Sequence, residues 1–429
     1  MKINRTTLPN GLRLVHCQQA TTRMVAINVL YRVGSANETP DRTGFAHLFE
    51  HLMFGGTVRY PDYDAVLQQA QGENNAYTTW DYTDYYVTLP ARNLAIGLDV
   101  ELDRMAGLAF TPQSLEVQRK VVMEEFKQTH LNQPYGDLQH LLARLSFGTP
   151  TGTPDDYRCE HPYSWPTIGL ELQHIADATM PQVKDFFRRF YRPNNAILCV
   201  TGDVTWEEVL GCLSLNVERR TMKDFTTETS RAKDFKLPNS NFKTRKTTVY
   251  RPVPQPLLLM AFYLPPRSDA DFPVCDMLSD LLANGKSSRF NQHLVEQRQL
   301  FLSLDAYVDG RLGTGQLMIE GIPADGVTMA EAEAAVWEEL QAVQRELVGD
   351  EELQKLKNRF ETTFELQISD YQRLAEQLAY YEMLGDAHRL FDEVPSYQAI
   401  DSERLRTVAR RILDPANACV LHYLCSADS

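Results

Sequence analysis

The chain has 429 residues, too many for one ordinary hydrophobic core, so at least two domains are expected. A hydrophobic content of 43% with mixed charge excludes a disordered chain, and a net charge of −14 with no dense Lys/Arg run argues against nucleic acid or an anionic membrane as partner. Seven cysteines without a C-x-x-C pair, no apolar run long enough to span a bilayer, and a start ("MKINRTTLPNGLRLV") without a signal-peptide core predict a cytoplasmic protein with reduced thiols.

In chain order, "NGLRLVHC" carries a turn signal followed by alternation, and "MVAINVLYRVGS" is a second strand run; the two read as a strand pair. Residues 42–56 read as a helix closed by Gly55-Gly56, and "PDYDAVLQQAQGE" as another. "NNAYTTWDYTDYYVTLP" is rich in Thr, Tyr and Trp and predicts strands. Residues 91–130 predict two helices, the second being "SLEVQRKVVMEEFKQ", and "NNAILCVTGDV" a later strand ending in a Gly-Asp turn. Residues 216–246 are polar and aperiodic, as a linker would be. Beyond them the pattern restarts. "PLLLMAFYLPP" matches the strand at 24–34, "VCDMLSDLLANGKSSRF" matches the helix at 42–57, and "DPANACVLHYL" echoes "RPNNAILCVTG". This order predicts an internal duplication into two α+β halves, 1–215 and 247–429.

The chemistry concentrates in "HLFEH". On a helix, His47, Glu50 and His51 share one face, and the flanking apolar residues make that face half-buried. Two imidazoles at i and i+4 suit one Zn²⁺, and Glu50 beside them suits a general base acting on a water. A third protein ligand is then needed, and a carboxylate would serve. The helix "VVMEEF" offers Glu124 and Glu125, which point about 100° apart; periodicity barely separates them.

The neighbouring segments carry a wider resemblance. "HLFEHLMFGGT", "NNAYTTWDYTDYYV", "VVMEEFKQ", "PTIGLELQHI", "FYRPNNAILCVTGDV" and "GKSSRFNQHLVEQRQL" together resemble the pitrilysin family of inverted-motif zinc metallopeptidases, which includes insulysin and the mitochondrial processing peptidase. The likeness covers nearly the whole chain and fits the bacterial branch with two domains per chain. It implies an α+β fold of two homologous halves, each a mainly antiparallel sheet covered by helices, clam-like when dimeric. It also implies one zinc per chain on His47, His51 and Glu125, with Glu50 as base. Asn75 and Ala76 match the edge-strand segment that holds a substrate backbone by β-augmentation.

Two positions depart from the family pattern. Gln118 stands where a supporting glutamate is usual, keeping hydrogen-bonding capacity but losing the charge. In "LVEQRQLFLS", Val295 and Leu302 stand where self-sufficient members carry an Arg and a Tyr that contact the bound peptide. The expected function is therefore a zinc endopeptidase subunit acting on peptides or unfolded segments, with a homologous partner subunit supplying the Arg/Tyr pair. The competing expectation is a silent assembly subunit or a decayed peptidase. The isolated histidines His16, His140, His161, His174, His293, His388 and His422 read as satisfied or surface groups, and His130 as leaving the zinc face.

Overall fold

A computed structural model of the chain describes residues 1–151, 157–217 and 245–426. The first sequence half contains β1 (Ile3–Thr7), β2 (Arg13–Gln18), β3 (Met24–Tyr31), α1 (Phe45–Leu52), α2 (Tyr63–Gln69), β4 (Glu73–Thr78), β5 (Thr83–Pro90), α3 (Leu94–Ala106) and α4 (Pro112–Phe126). A π-helical turn, Lys127–Leu131, follows α4, and then come α5 (Leu138–Phe147), the short strands β6 (Thr149–Pro150) and β7 (Tyr157–Arg158), α6 (Leu172–Ala176), α7 (Met180–Phe190), β8 (Ala196–Gly202) and α8 (Trp206–Val217). The second half contains β9 (Arg245–Arg251), β10 (Leu257–Leu264), α9 (Phe272–Ala283), a π-helical segment Phe290–Gln297, β11 (Phe301–Asp309) and β12 (Gly315–Pro323). It ends with α10 (Met329–Arg345), α11 (Asp350–Ser369), α12 (Tyr371–Met383), α13 (Glu393–Gln398), α14 (Ser402–Ile412) and β13 (Ala418–Cys425).

The two main sheets repeat one topology. The first runs β1-β2-β8-β3-β5-β4 and the second β11-β12-β10-β13-β9. Read from β2 and β9, each sheet has one parallel pair, β2–β8 or β9–β13, and is otherwise antiparallel. Five strands of the first sheet, β2-β8-β3-β5-β4, thus correspond in order to β9-β13-β10-β12-β11, while β1 is an extra edge strand without a counterpart. The central strands β8 and β10 are buried at every residue, which is why "AILCVTG" and "LLLMAFYL" are continuous apolar runs instead of alternating ones. The expected pairing of "NGLRLVHC" with "MVAINVLYRVGS" is corrected: β8 lies between β2 and β3, and β2 pairs with β1 on its other side. The apolar run of β8 takes the doubly buried central place, which a local hairpin would have left empty.

The compact units do not follow one cut in the sequence. One comprises Met1–Thr129, Trp165–Lys233 and Phe364–Asp392; the other comprises His130–Ser164, Asp234–Thr363 and Glu393–Ser429. A helix is exchanged in each direction. α12, late in the chain, packs on β3 and β8 of the first sheet. There Arg13 Nη1 donates to the Glu382 carbonyl at 2.9 Å, and Arg5 pairs with the Glu382 carboxylate at 2.9 Å. α5, early in the chain, packs on β9 and β13 of the second sheet. Its last turn is satisfied by Arg245 Nη1, which donates to the carbonyls of Leu145 (2.8 Å), Ser146 (3.0 Å) and Gly148 (2.9 Å). The expected linker, 216–246, lies outside the described residues except for 216–217 at the end of α8 and 245–246 at the start of β9. All seven cysteines are free thiols. Among the described residues no helix is long and apolar enough to cross a membrane.

Candidate metal centre

The site is built on α1, which is shorter than the expected 42–56. Gly44 precedes it at φ +82°, and a Cβ there would lie 2.7 Å from Ile175 Cδ1 and 2.8 Å from the Ile168 carbonyl, so only glycine fits. Thr43 is spoken for as well, because its Oγ1 accepts from Leu170 N–H at 2.6 Å and meets His174 Nδ1 at 2.8 Å. The segment "PTIGLELQHI" therefore serves as the seat of the helix start. The first-turn amides are capped from outside the helix. Glu38 accepts from Gly44 N–H at 2.9 Å, Ala46 N–H at 2.8 Å and Trp165 Nε1–H at 3.1 Å. On its inner face α1 buries Phe45, Ala46, Leu48, Phe49 and Leu52, and Phe49 packs between Phe186 and Tyr191 with ring centroids 4.9 and 5.1 Å away.

That packing leaves His47, Glu50 and His51 on the half-buried face, opposite α4. α4 starts with a capping box on Thr111, buries Leu115, Val122 and Phe126, and is tied to the α6 region by Arg119 Nη1, which donates to Ala176 O (2.9 Å) and Ala178 O (3.1 Å). The two glutamates point different ways in this packing. Glu125 reaches His51 Nε2 at 3.3 Å and His47 Nε2 at 3.6 Å, whereas Glu124 is exposed and pairs with Lys127 at 3.4 Å.

The two Nε2 atoms stand 3.4 Å apart. One ligand atom each from His47, His51 and Glu125 lies within 4.8 Å of the others, and no other such group occurs among the described residues. A tetrahedral zinc with ordinary bond lengths spaces its ligands by roughly 3.3–3.6 Å. The two imidazole nitrogens, 3.4 Å apart, have that spacing, and the Glu125 carboxylate closes the group with Oε2 3.3 Å from His51 Nε2 and Oε1 3.6 Å from His47 Nε2. The electrostatics agree. Burial holds His47 below its usual pKa, against the pull of Glu125 and Glu50, which favours the neutral ligand form. A hydrogen bond from His51 holds Glu125 below the usual carboxylate range despite partial burial. His47 Nδ1 is buried without a hydrogen-bond partner among the described residues.

Glu50 Oε2 accepts from Thr78 Oγ1 at 2.6 Å. Thr78 ends β4, the outermost strand of its sheet, whose ladder partner is β5. Asn75 and Ala76 lie on that strand opposite Tyr86 and Tyr85, with Asn75 exposed and its Oδ1 accepting from Ala76 N–H at 2.8 Å. Gln118 lies on α4 seven residues before Glu125, half-buried and without a hydrogen bond among the described residues. In the second unit, Val295 packs half-buried against the core, and Leu302 is 53% exposed on β11. The isolated histidines have ordinary partners: His16 with Val204 O (2.9 Å), His293 with Glu339 (2.9 Å), His422 with Glu333 (2.7 Å), and His130 with Gly136 O (2.7 Å) while stacked on His140. Sequence reasoning missed Glu38 and Thr78. A lone glutamate in a turn gives no signal, and Thr78 is only the last letter of the Asn-Ala-x-Thr segment.

Comparisons with known proteins bear on the family and the fold. The family profile described as Insulinase (Peptidase family M16) matches residues 13–153, and that described as Peptidase M16 inactive domain matches residues 177–360. The zinc protease PqqE of Helicobacter pylori is 29% identical over 303 residues, 70% of this chain and 65% of that relative, so the match spans just under two thirds of its length. The crystal structure of a protease from Helicobacter pylori superposes with TM-score 0.89 at 24% identity, covering 98% of this chain and 99% of that one. The periplasmic protease PqqL of Escherichia coli gives TM-score 0.79 at 19% identity, covering 99% of this chain but 47% of that one. With two profiles of one family covering residues 13–153 and 177–360 and kindred structures along its whole length, the chain belongs to the pitrilysin, or M16, family of metallopeptidases.

Proposed function

We propose that this chain is a zinc-dependent endopeptidase subunit that hydrolyses peptides or unfolded polypeptide segments. One observation carries the reading: two imidazole nitrogens and a carboxylate converge at zinc-ligand spacing beside a further carboxylate, Glu50. His47 Nε2, His51 Nε2 and the Glu125 carboxylate would hold one Zn²⁺ per chain. When bound, that ion supplies Lewis acidity toward a peptide carbonyl and lowers the pKa of a water in the site. Glu50 is the base, taking the proton of the attacking water at the oxygen not engaged by Thr78 and returning it to the leaving amine. Asn75 and Ala76 present the open edge of β4 to an extended substrate backbone, which gives broad sequence tolerance. Gln118, on α4, is the position from which a neutral amide would support the ligands, although its side chain makes no hydrogen bond among the described residues.

Leu302, exposed on β11, and Val295 cannot supply the guanidinium and phenol that self-sufficient members are expected to use. A homologous subunit would bring that pair. The twofold length of PqqL, of which this chain spans 47%, is in keeping with such a division. A non-catalytic assembly subunit is the second reading, favoured by the profile named for an inactive domain over 177–360. A cytoplasmic location fits seven cysteines that form no disulfide. The test is hydrolysis of a mixed peptide library by the zinc-loaded chain, alone and with a homologous partner lacking the zinc motif, with Glu50→Gln as control. Turnover that appears on mixing and vanishes in the variant supports the split enzyme. Equal turnover by the isolated chain sinks the division of labour, and zinc binding without turnover under any pairing leaves the assembly role.

A further inference from the structure

Glu50 has one side-chain hydrogen-bond partner among the described residues, Thr78, and Thr78 has Glu50 alone in return. A hydroxyl carries a single proton, so donating it to Oε2 fixes the hydroxyl direction and leaves Oε1 as the free basic oxygen. Thr78 is held on every side. In the ladder it faces Thr83, whose own hydroxyl is spent on Val33 O at 2.8 Å. The hairpin beyond it is closed by Thr79 N–H and Oγ1, which donate to Tyr82 O at 2.8 and 2.9 Å. That hairpin is clamped on the 34–36 turn: Ser35 N–H and Ala36 N–H donate to Thr79 O (3.2 Å) and Trp80 O (2.8 Å), and a Cβ on Gly34 would stand 2.4 Å from both carbonyls. Trp80 Nε1–H donates to Trp165 O at 3.0 Å, and Trp165 Nε1–H donates to Glu38, the cap of α1. The end of β4 and the start of the ligand helix are therefore parts of one rigid frame.

We propose that Thr78 is the positioning residue of the base, holding Glu50 in one rotamer from the tip of the edge strand, so that a chain added along β4 and the orientation of the carboxylate are mechanically linked. The proposal rests on the peptidase reading for its catalytic consequence, but its geometry stands without it. Thr78→Val keeps the shape and removes the donor; Thr78→Ser keeps the donor. Three readouts are needed: crystal structures of both variants, zinc content per chain, and kcat and KM separately. In Thr78→Val, Glu50 is expected to leave its wild-type rotamer while His47, His51 and Glu125 stay in place. Zinc should remain at one per chain, KM should hold, and kcat should fall about 10- to 100-fold, the scale of one lost charge-assisted bond. Thr78→Ser should restore both rotamer and rate. An unmoved Glu50 in Thr78→Val, or loss of zinc with the rate, would overturn the proposal. If the wild-type chain hydrolyses nothing with or without a partner, the peptidase reading fails, while the Glu50 rotamer in Thr78→Val still decides the role of Thr78.

Discussion

Replacing Glu38 by alanine tests how the ligand helix is held. The carboxyl group, whose pKa burial pushes up to about 8, accepts three N–H bonds, from Gly44 (2.9 Å), Ala46 (2.8 Å) and Trp165 (3.1 Å). Gly44 and Ala46 are buried, so water cannot replace the lost acceptor. Trp165 keeps a second acceptor, Ser35 O at 3.2 Å, and loses less. Two orphaned buried donors at about 1–3 kcal/mol each, together with the lost helix cap, less the relief of no longer burying a carboxyl, give a net cost of about 2–4 kcal/mol. Three of the four tryptophans, Trp80, Trp165 and Trp206, lie in the unit that carries the site, so urea unfolding followed by their emission reads that unit. Zinc affinity, measured by chelator competition, should fall with the stability because the first turn of α1 carries His47. Glu38→Gln, which keeps one acceptor oxygen, should recover part of both. Stability and zinc affinity within about 0.5 kcal/mol of wild type would refute the view that Glu38 anchors the helix.

Other outcomes follow from the same geometry. His51→Ala should take zinc from one per chain to near zero by elemental analysis and abolish metal-dependent stabilisation, which at a hundredfold excess over Kd is about 2.7 kcal/mol; full zinc occupancy would remove His51 from the ligand set. Glu124→Ala should change neither zinc content nor turnover, since that side chain faces Lys127; a loss would mean the glutamates exchange roles. Glu333 is half-buried, yet hydrogen bonds from His422 and Lys246 hold its carboxyl at about 2. Its folded pKa thus lies below the unfolded value, so its stabilisation is present above about pH 5 and lost as pH falls toward 2. The stability difference between wild type and Glu333→Gln should shrink over that window, and a difference constant with pH would contradict the assignment.

Much of this architecture was legible in the residues. The i, i+3, i+4 spacing of His47, Glu50 and His51 follows from helix geometry alone, and the apolar residues between them dictate which face is buried. The strand runs of both halves were visible because doubly buried central strands must be continuous apolar runs, and "AILCVTG" and "LLLMAFYL" are both of that kind. The satisfied histidines were legible from their isolation. The placement of β8 between β2 and β3 was not, because strand pairing across some 170 residues leaves no local trace. Nor was the exchange of α5 and α12, whose amphipathic patterns say that each covers a sheet without saying which.

The sequence by itself determined the chemistry at hand: two imidazoles and a carboxylate on one helical turn, and a glutamate pair on another helix. Only the tertiary structure decided which glutamate lies beside them. Adjacent helical residues differ by about 100° in direction, and it is the burial of Val122 and Phe126 that turns Glu125, not Glu124, toward α1. The same holds for the partners of the site. Glu38 and Thr78 lie 12 residues before Glu50 and 28 after it, and reach α1 only because the Gly34 turn lets two backbones meet where any side chain would part them.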